Sequence, residues 1–185
     1  MKVTKTSMEG VLILEPTVFG DERGFFYESF NQRDFLKEVG LDVTFVQDNH
    51  SHSMQGVLRG LHYQVKQPQG KLVSVIRGKI FDVVVDLRQG SSTFGKWESF
   101  ELSEENRKQL WIPPGFAHGF LVVSLSADVL YKTTNYYAPE YERTILWNDP
   151  EIAIQWPIED HHAIKFSVKD GAGISLEMAV RELSE

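Results

Sequence analysis

At 185 residues with 42% hydrophobic side chains, the chain has the length of one domain, 1–185, able to bury most of its surface on folding. A formal charge of −7 speaks against the broad basic face that DNA or RNA binding needs, and zero cysteines exclude disulfides and thiol nucleophiles. No apolar run reaches the roughly 18 residues of a membrane-spanning helix, and Met1–Gly10 lacks the apolar core of a secretory signal. A cytoplasmic protein with neither nucleic-acid nor membrane partners is expected.

Short segments rich in β-branched and aromatic residues, bounded by Gly, Pro, Asn or Asp, predict a chain built mostly of strands. In order they are Val11–Glu15, Phe25–Phe30, Thr44–Asn49, Val57–Gln64, Leu72–Arg77, Lys79–Leu87, Trp97–Leu102, Gln109–Ile112, His118–Val123 and Asp128–Thr134. One helix is expected over Asn31–Val39, with Asn31 as N-cap, Asp34 in the first turn and Gly40 as the stop. A second, shorter helix is expected near Ser175–Leu183. In Ile80–Leu87 the period of two places Phe81, Val83, Val85 and Leu87 on one face and Asp82 and Asp86 on the other. Gly78 reads as a tight hairpin turn. There is no repeat, linker or low-complexity tract. The expectation is an all-β, mostly antiparallel jelly-roll barrel with a few short helices.

Two stretches carry most of the chemical information. Gly56 to His62 has the spacing Gly-x5-His, and Pro113 to His118 has Pro-x-Gly-x2-His. Together they resemble the two motifs of a cupin, a double-stranded β-helix that commonly holds a metal. A metal cupin would place a second His at Gln64 and an acid soon after, but here Val65-Lys66-Gln67-Pro68 follows, with no acid before Gly70. Two histidines fall short of the three or four protein ligands that zinc or non-haem iron requires. The expectation is a barrel with no metal and organic acid–base chemistry in its place.

His62 alone reads as a core histidine, yet Arg59 and Lys71 crowd cations around it in an acidic protein. On a regular strand Arg59 and His62 face opposite sides; Gly60 between them permits a bulge that turns both toward one cavity. A neutral imidazole is a natural general base near pH 7 if a carboxylate supports its charged form, and no acid lies nearby in sequence. Tyr131 is either a packing aromatic or a phenol donor, and Tyr136 and Tyr137 either pack or stack on a base. Arg23, among glycines and aromatics, suits a forked phosphate contact or a solvated turn equally. Gln47, Asp48 and Asn49 either read a ligand edge or cap a loop. His50 and His52 have a metal-like spacing but read as loop histidines without a third ligand, and His161-His162 reads as solvated.

Longer motifs join these residues. Phe19-Gly20-Asp21-x-Arg23-Gly24-Phe25-Phe26, Gln47-Asp48-Asn49, Val57 to His62, Gly70 to Val73, Gly115 to Phe120 and Tyr131 to Tyr137 occur in order. They are followed by Ile145 to Asp149 and by Ser167-x-Lys169-Asp170. This series resembles the dTDP-4-dehydrorhamnose 3,5-epimerase family over nearly the whole chain. One departure is Gly173-Ile174, where that family reads Ala-Pro.

The resemblance implies epimerisation at C3 and C5 of dTDP-4-dehydro-6-deoxy-D-glucose, in dTDP-L-rhamnose biosynthesis, with no metal or organic cofactor. It implies His62 as base, Asp170 as its orienting acid, Tyr131 as opposed proton donor and Lys71 at the enolate oxygen, with His118 near the same sugar. Arg23, Glu28, Gln47, Asp48, Asn49, Arg59, Glu142 and Lys169 would bind nucleotide and sugar, with Phe19 and Tyr136 among the contacts. It also implies a strand-exchanging homodimer in which Phe19–Glu28 closes the partner's site. A C3-only epimerase, a ketoisomerase of a related dTDP-sugar and a non-catalytic sugar-nucleotide-binding cupin are the alternatives.

Overall fold

The computed structural model describes residues 1–158 and 164–183, so His161-His162 lies outside the described residues. The strands are β1 (Lys2–Lys5), β2 (Leu12–Glu15), β3 (Phe19–Asp21), β4 (Gly24–Phe26), β5 (Gln47–Met54), β6 (Leu58–Gln64) and β7 (Lys71–Arg77). They continue as β8 (Lys79–Asp86), β9 (Trp97–Ser103), β10 (Gln109–Ile112), β11 (Phe116–Val122), β12 (Ser126–Thr133) and β13 (Glu142–Thr144). The described residues also form three helices: α1 (Gln32–Val39), α2 (Val168–Gly171) and α3 (Leu176–Leu183). One sheet runs β1-β2-β10-β7-β12-β5 and faces a second, β13-β6-β11-β8-β9; β3 and β4 form a separate hairpin. Every pairing between named strands is antiparallel, which makes the architecture the expected cupin-type jelly roll.

Alternation along each strand sorts side chains into three layers. Val73, Ile80, Val84, Leu110, Phe120 and Val129 fill the space between the sheets. Leu58, Leu61, Val83 and Val85 point the other way and are covered by Ile152, Trp156, Leu176 and Ala179 of the C-terminal segment. On the outside of the first sheet, Leu14, Leu72 and Trp111 meet Phe35 of α1. The two-faced pattern of β8 is therefore real, but both faces are covered, with only Lys79 and Phe81 partly exposed. Asp82 and Asp86 are both fully buried, and Asp82 shares the interior face with Ile80 and Val84.

α1 forms as its caps dictate. The Asn31 side chain accepts from the Arg33 and Asp34 amides, and Gly40 closes the helix at φ 76 with its amide on the Leu36 carbonyl. A cap of this kind contributes about 1 kcal/mol. Several sequence expectations need correction. Phe25–Phe30 is not one strand: β4 stops at Phe26, and the Ser29 carbonyl instead takes the Gln109 amide group. β5 runs to Met54, so His50 and His52 are strand residues, not loop residues, and both hold Asp128 Oδ1 on β12. Gln-Asp-Asn-His-Ser-His-Ser-Met has no apolar period to read; its strand comes from backbone pairing with β12. β1, β3, β13 and α2 were likewise too short or too polar to show a period.

Candidate active site

The site forms where the two sheets open, and its histidine is aimed by a break in register. Along the β6–β11 pair, His118 sits opposite His62 but Phe120 sits opposite Arg59, so one extra residue is accommodated at Gly60–Leu61. Arg59 and His62, three apart, thus share the interior face, as the bulge reading required. Gly60 has φ +109, and a Cβ there would lie 2.6 Å from Gly119 Cα and from the His118 carbonyl oxygen. Only glycine fits.

His62 Nε2 lies 2.6 Å from Asp170 Oδ1, across 108 residues of sequence. Asp170 sits in α2, whose N-cap Ser167 accepts from the Asp170 amide and donates its own hydroxyl to Oδ2 at 2.7 Å. The Gly60 amide adds a third donor at 3.3 Å. Burial pushes the Asp170 carboxyl up, but hydrogen bonds from His62 and Ser167 outweigh it and hold the group down at about 2. Asp170 is an anion at neutral pH.

Lys71 enters from the opposite sheet. Its ammonium is buried and lies 3.5 Å from the His62 carbonyl oxygen. Desolvation lowers it to about 8, against the pull of Glu142 and Asp82. Tyr131, paired with Val73 and Asn49 on the same face, is raised by burial, with nearby Arg59 working the other way. Arg59 is fixed by its Nε on Ser53 Oγ at 2.9 Å. His118 Nε2 meets Asp82 Oδ2 at 2.9 Å, deep between the sheets. Glu142 accepts from Tyr137 Oη at 2.7 Å and from Lys169 Nζ, and with these donors its carboxyl stays low despite burial. A cleft of about 340 Å³ runs past His62, Lys71, Glu142 and Phe116.

Other expected site residues fall elsewhere. Gln47 and Asn49 face inward and are joined at 2.8 Å, but Asp48 is turned to the outer face, ion-paired with Lys132 at 3.0 Å. Tyr136 stands exposed beside Tyr137 on the loop after β12. Phe19 and Arg23 belong to the β3–β4 hairpin, which pairs with neither sheet. Arg23 bonds Asp21, and Glu28 bonds Asn31, not the His62 cluster. The partners of three residues escaped sequence reading. Asp82 was visible only as a polar position on β8, and nothing local ties it to His118, 36 positions away. Ser167 and Tyr137 act through Asp170 and Glu142, partners that spacing does not reveal. Among the described residues, no group of three or more His, Asp or Glu side chains is placed to hold a metal.

Comparison with known proteins places this geometry. The family model for dTDP-4-dehydrorhamnose 3,5-epimerase matches residues 5–178. A Pseudomonas aeruginosa dTDP-4-dehydrorhamnose 3,5-epimerase is 58% identical, covering 94% of both chains. The Escherichia coli K12 enzyme of that name is 54% identical, over 98% of this chain and 97% of its own. The fold superposes with a TM-score of 0.94 and 51% identity on the Legionella pneumophila dTDP-6-deoxy-D-glucose-3,5-epimerase, solved in complex with dTDP-4-keto-L-rhamnose; 98% of this chain and 96% of that one are covered. With motifs, barrel and near-full-length identity in agreement, this chain belongs to the dTDP-4-dehydrorhamnose 3,5-epimerase family of enzymes.

Proposed function

We propose that the protein converts dTDP-4-dehydro-6-deoxy-D-glucose to dTDP-4-dehydro-L-rhamnose by inverting C3 and C5, acting as a single cytoplasmic domain without metal or organic cofactor. The observation that carries this reading is the His62 imidazole held at 2.6 Å by the ionised Asp170 in the same opening as the buried Lys71 ammonium.

The C4 carbonyl acidifies the protons on C3 and C5, because each carbanion delocalises into it. His62 takes one such proton at Nδ1, the nitrogen Asp170 does not hold, and the resulting imidazolium is balanced by the Asp170 anion. Charge moves to the C4 oxygen, where Lys71 supplies a cation already stripped of water; such preorganised groups contribute about 3–4 kcal/mol. The Tyr131 phenol, raised by burial and so protonated at neutral pH, returns a proton from the other face. His62 and Tyr131 then exchange protons with water, and the cycle repeats at the second carbon. Positioned proton transfer contributes roughly 10²–10⁴-fold. Arg59, Lys169, Gln47, Asn49 and Tyr136 would hold the nucleotide and sugar, with His118 beside the sugar.

Phe19, Arg23 and Glu28 complete the site of a partner subunit in this reading. Its support is the hairpin's lack of sheet pairing together with the exposure of Phe19, Phe25 and Phe26, each above 60%. The test of function is deuterium wash-in at C3 and C5 of dTDP-4-keto-6-deoxyglucose in D₂O. Both carbons should exchange and the L-lyxo product should form; exchange at C3 alone would make the enzyme a monoepimerase, and none at all would sink the reading. For the dimer, mixing Arg23→Ala with His62→Ala chains should regenerate activity in the heterodimer. No recovery after demonstrated subunit exchange would place both residues in one chain's site.

A further inference from the structure

Gln64 occupies the position where a metal cupin carries a ligand, and the structure gives it other work. Its side chain is buried and spends its hydrogen bonds on backbone. Nε2 donates to the Gln67 carbonyl at 2.8 Å and to the Tyr136 carbonyl at 3.3 Å, while Oε1 accepts from the Ala138 amide at 2.9 Å. Gln67 sits at φ 53, a conformation side-chain-bearing residues rarely adopt, with its carbonyl on Gln64. From the opposite sheet, Gln47 Oε1 accepts from the Tyr137 amide at 3.1 Å. The loop carrying Tyr136 and Tyr137 is therefore clamped by amides from both sheets. Through it, the Tyr137 hydroxyl reaches Glu142, which pairs with Gln64 across β13 and β6 and holds Lys169.

We propose that Gln64 is a positioning residue that sets affinity for the nucleotide by fixing the Tyr136–Ala138 loop, and that it takes no part in proton abstraction. The inference rests on the reading above, in which Tyr136 and Lys169 are among the residues that hold the nucleotide and sugar. A chain that had to bind metal here would need a ligand at this position. This one uses the same inward-facing position to fasten two loops.

The decisive variant is Gln64→Met, which keeps length and burial but removes all three bonds. In ligand-free protein, hydrogen exchange at the Tyr137 and Ala138 amides should accelerate about tenfold or more, while the strand amides of β8 and β11 stay protected. With dTDP-4-keto-6-deoxyglucose, KM should rise about tenfold or more and kcat should change by less than about threefold. The affinity for dTDP alone should fall in parallel with the rise in KM. Gln64→Glu keeps an acceptor for Ala138 but sets an acceptor oxygen against the Gln67 and Tyr136 carbonyls, so the raised KM should persist. An unchanged KM despite loosened amides would overturn the proposal, as would kcat and thermal stability falling while KM rises. The amide measurement needs no substrate, so a wild-type enzyme inactive on the sugar nucleotide would refute the functional reading while the clamp itself is judged separately.

Discussion

Two histidine–carboxylate pairs lie side by side in this barrel, since His62 and His118 are cross-strand neighbours, and their surroundings push them to different tasks. Asp170 receives His62, the Ser167 hydroxyl and the Gly60 amide, and is held at about 2. Asp82 is fully buried; it receives His118 on Oδ2, while Oδ1 has no hydrogen-bond partner among the described residues. Desolvation raises Asp82, with His118 and Lys71 only partly opposing it. The His62 side chain keeps 27% of its surface open against 8% for His118. The same residue types thus give an accessible imidazole backed by a firm anion in one case, and an enclosed, fixed imidazole in the other. Deeper burial of Asp82 and the fuller set of donors on Asp170, not the presence of the acid, make the difference.

The comparison breaks most sharply at its first member. His62→Ala should lower kcat/KM about 10³–10⁴-fold and abolish deuterium wash-in at both carbons, with circular dichroism unchanged. Asp170→Asn should come close to it, about 10²–10⁴-fold, because an amide cannot balance the imidazolium. A folded His62→Ala protein exchanging at the wild-type rate would remove the mechanism. Lys71→Met should cost on the order of 10²–10³-fold through loss of oxyanion stabilisation. Tyr131→Phe should keep exchange at one or both carbons while slowing inversion about tenfold or more. Asp82→Asn should lose only about tenfold, since it orients a histidine that does not take the proton; if it equals Asp170→Asn, the two pairs are not distinct.

The pH dependence follows from Lys71, lowered by burial to about 8. Activity should fall as pH rises through that value, because the oxyanion loses its cation. Stability should respond with the opposite sign. The folded Lys71 loses its proton near 8, whereas its unfolded counterpart does so near 10.5, so the unfolded state binds more protons between them and this residue's contribution grows with pH. Denaturant titrations of wild type and Lys71→Met at pH 7 and 9.5 would show whether that difference exists. The smallest effect belongs to chelation: overnight EDTA should leave activity unchanged, and loss restored by one added metal would overturn metal-free chemistry.

Much of this was legible in the chain. The strands with apolar alternation, β7 to β12, and the caps of α1 declare themselves, and Gly60 announces the bulge that aims Arg59 and His62 together. What was hidden has a common cause. Asp170 serves His62 from 108 positions away, so residue-level reading found a base without an acid and only the family resemblance supplied one. β5 and β13 lack an apolar period because their strand character comes from neighbours. The departure at Gly173-Ile174 also becomes intelligible. A Cβ at 173 would lie 2.8 Å from the Leu146 amide nitrogen, and Ile174 donates its own amide to the Thr144 carbonyl, a bond proline cannot make.

The acid of the dyad belongs not to the barrel but to the segment that wraps the outside of its second sheet. That arrangement has a temporal side. A nascent polypeptide, emerging from the ribosome N-terminus first, has both sheets in hand before Ser167 and Asp170 are translated. Until the wrap docks, His62 lacks the Asp170 carboxylate, and on the proposed mechanism the half-made chain should be all but inactive.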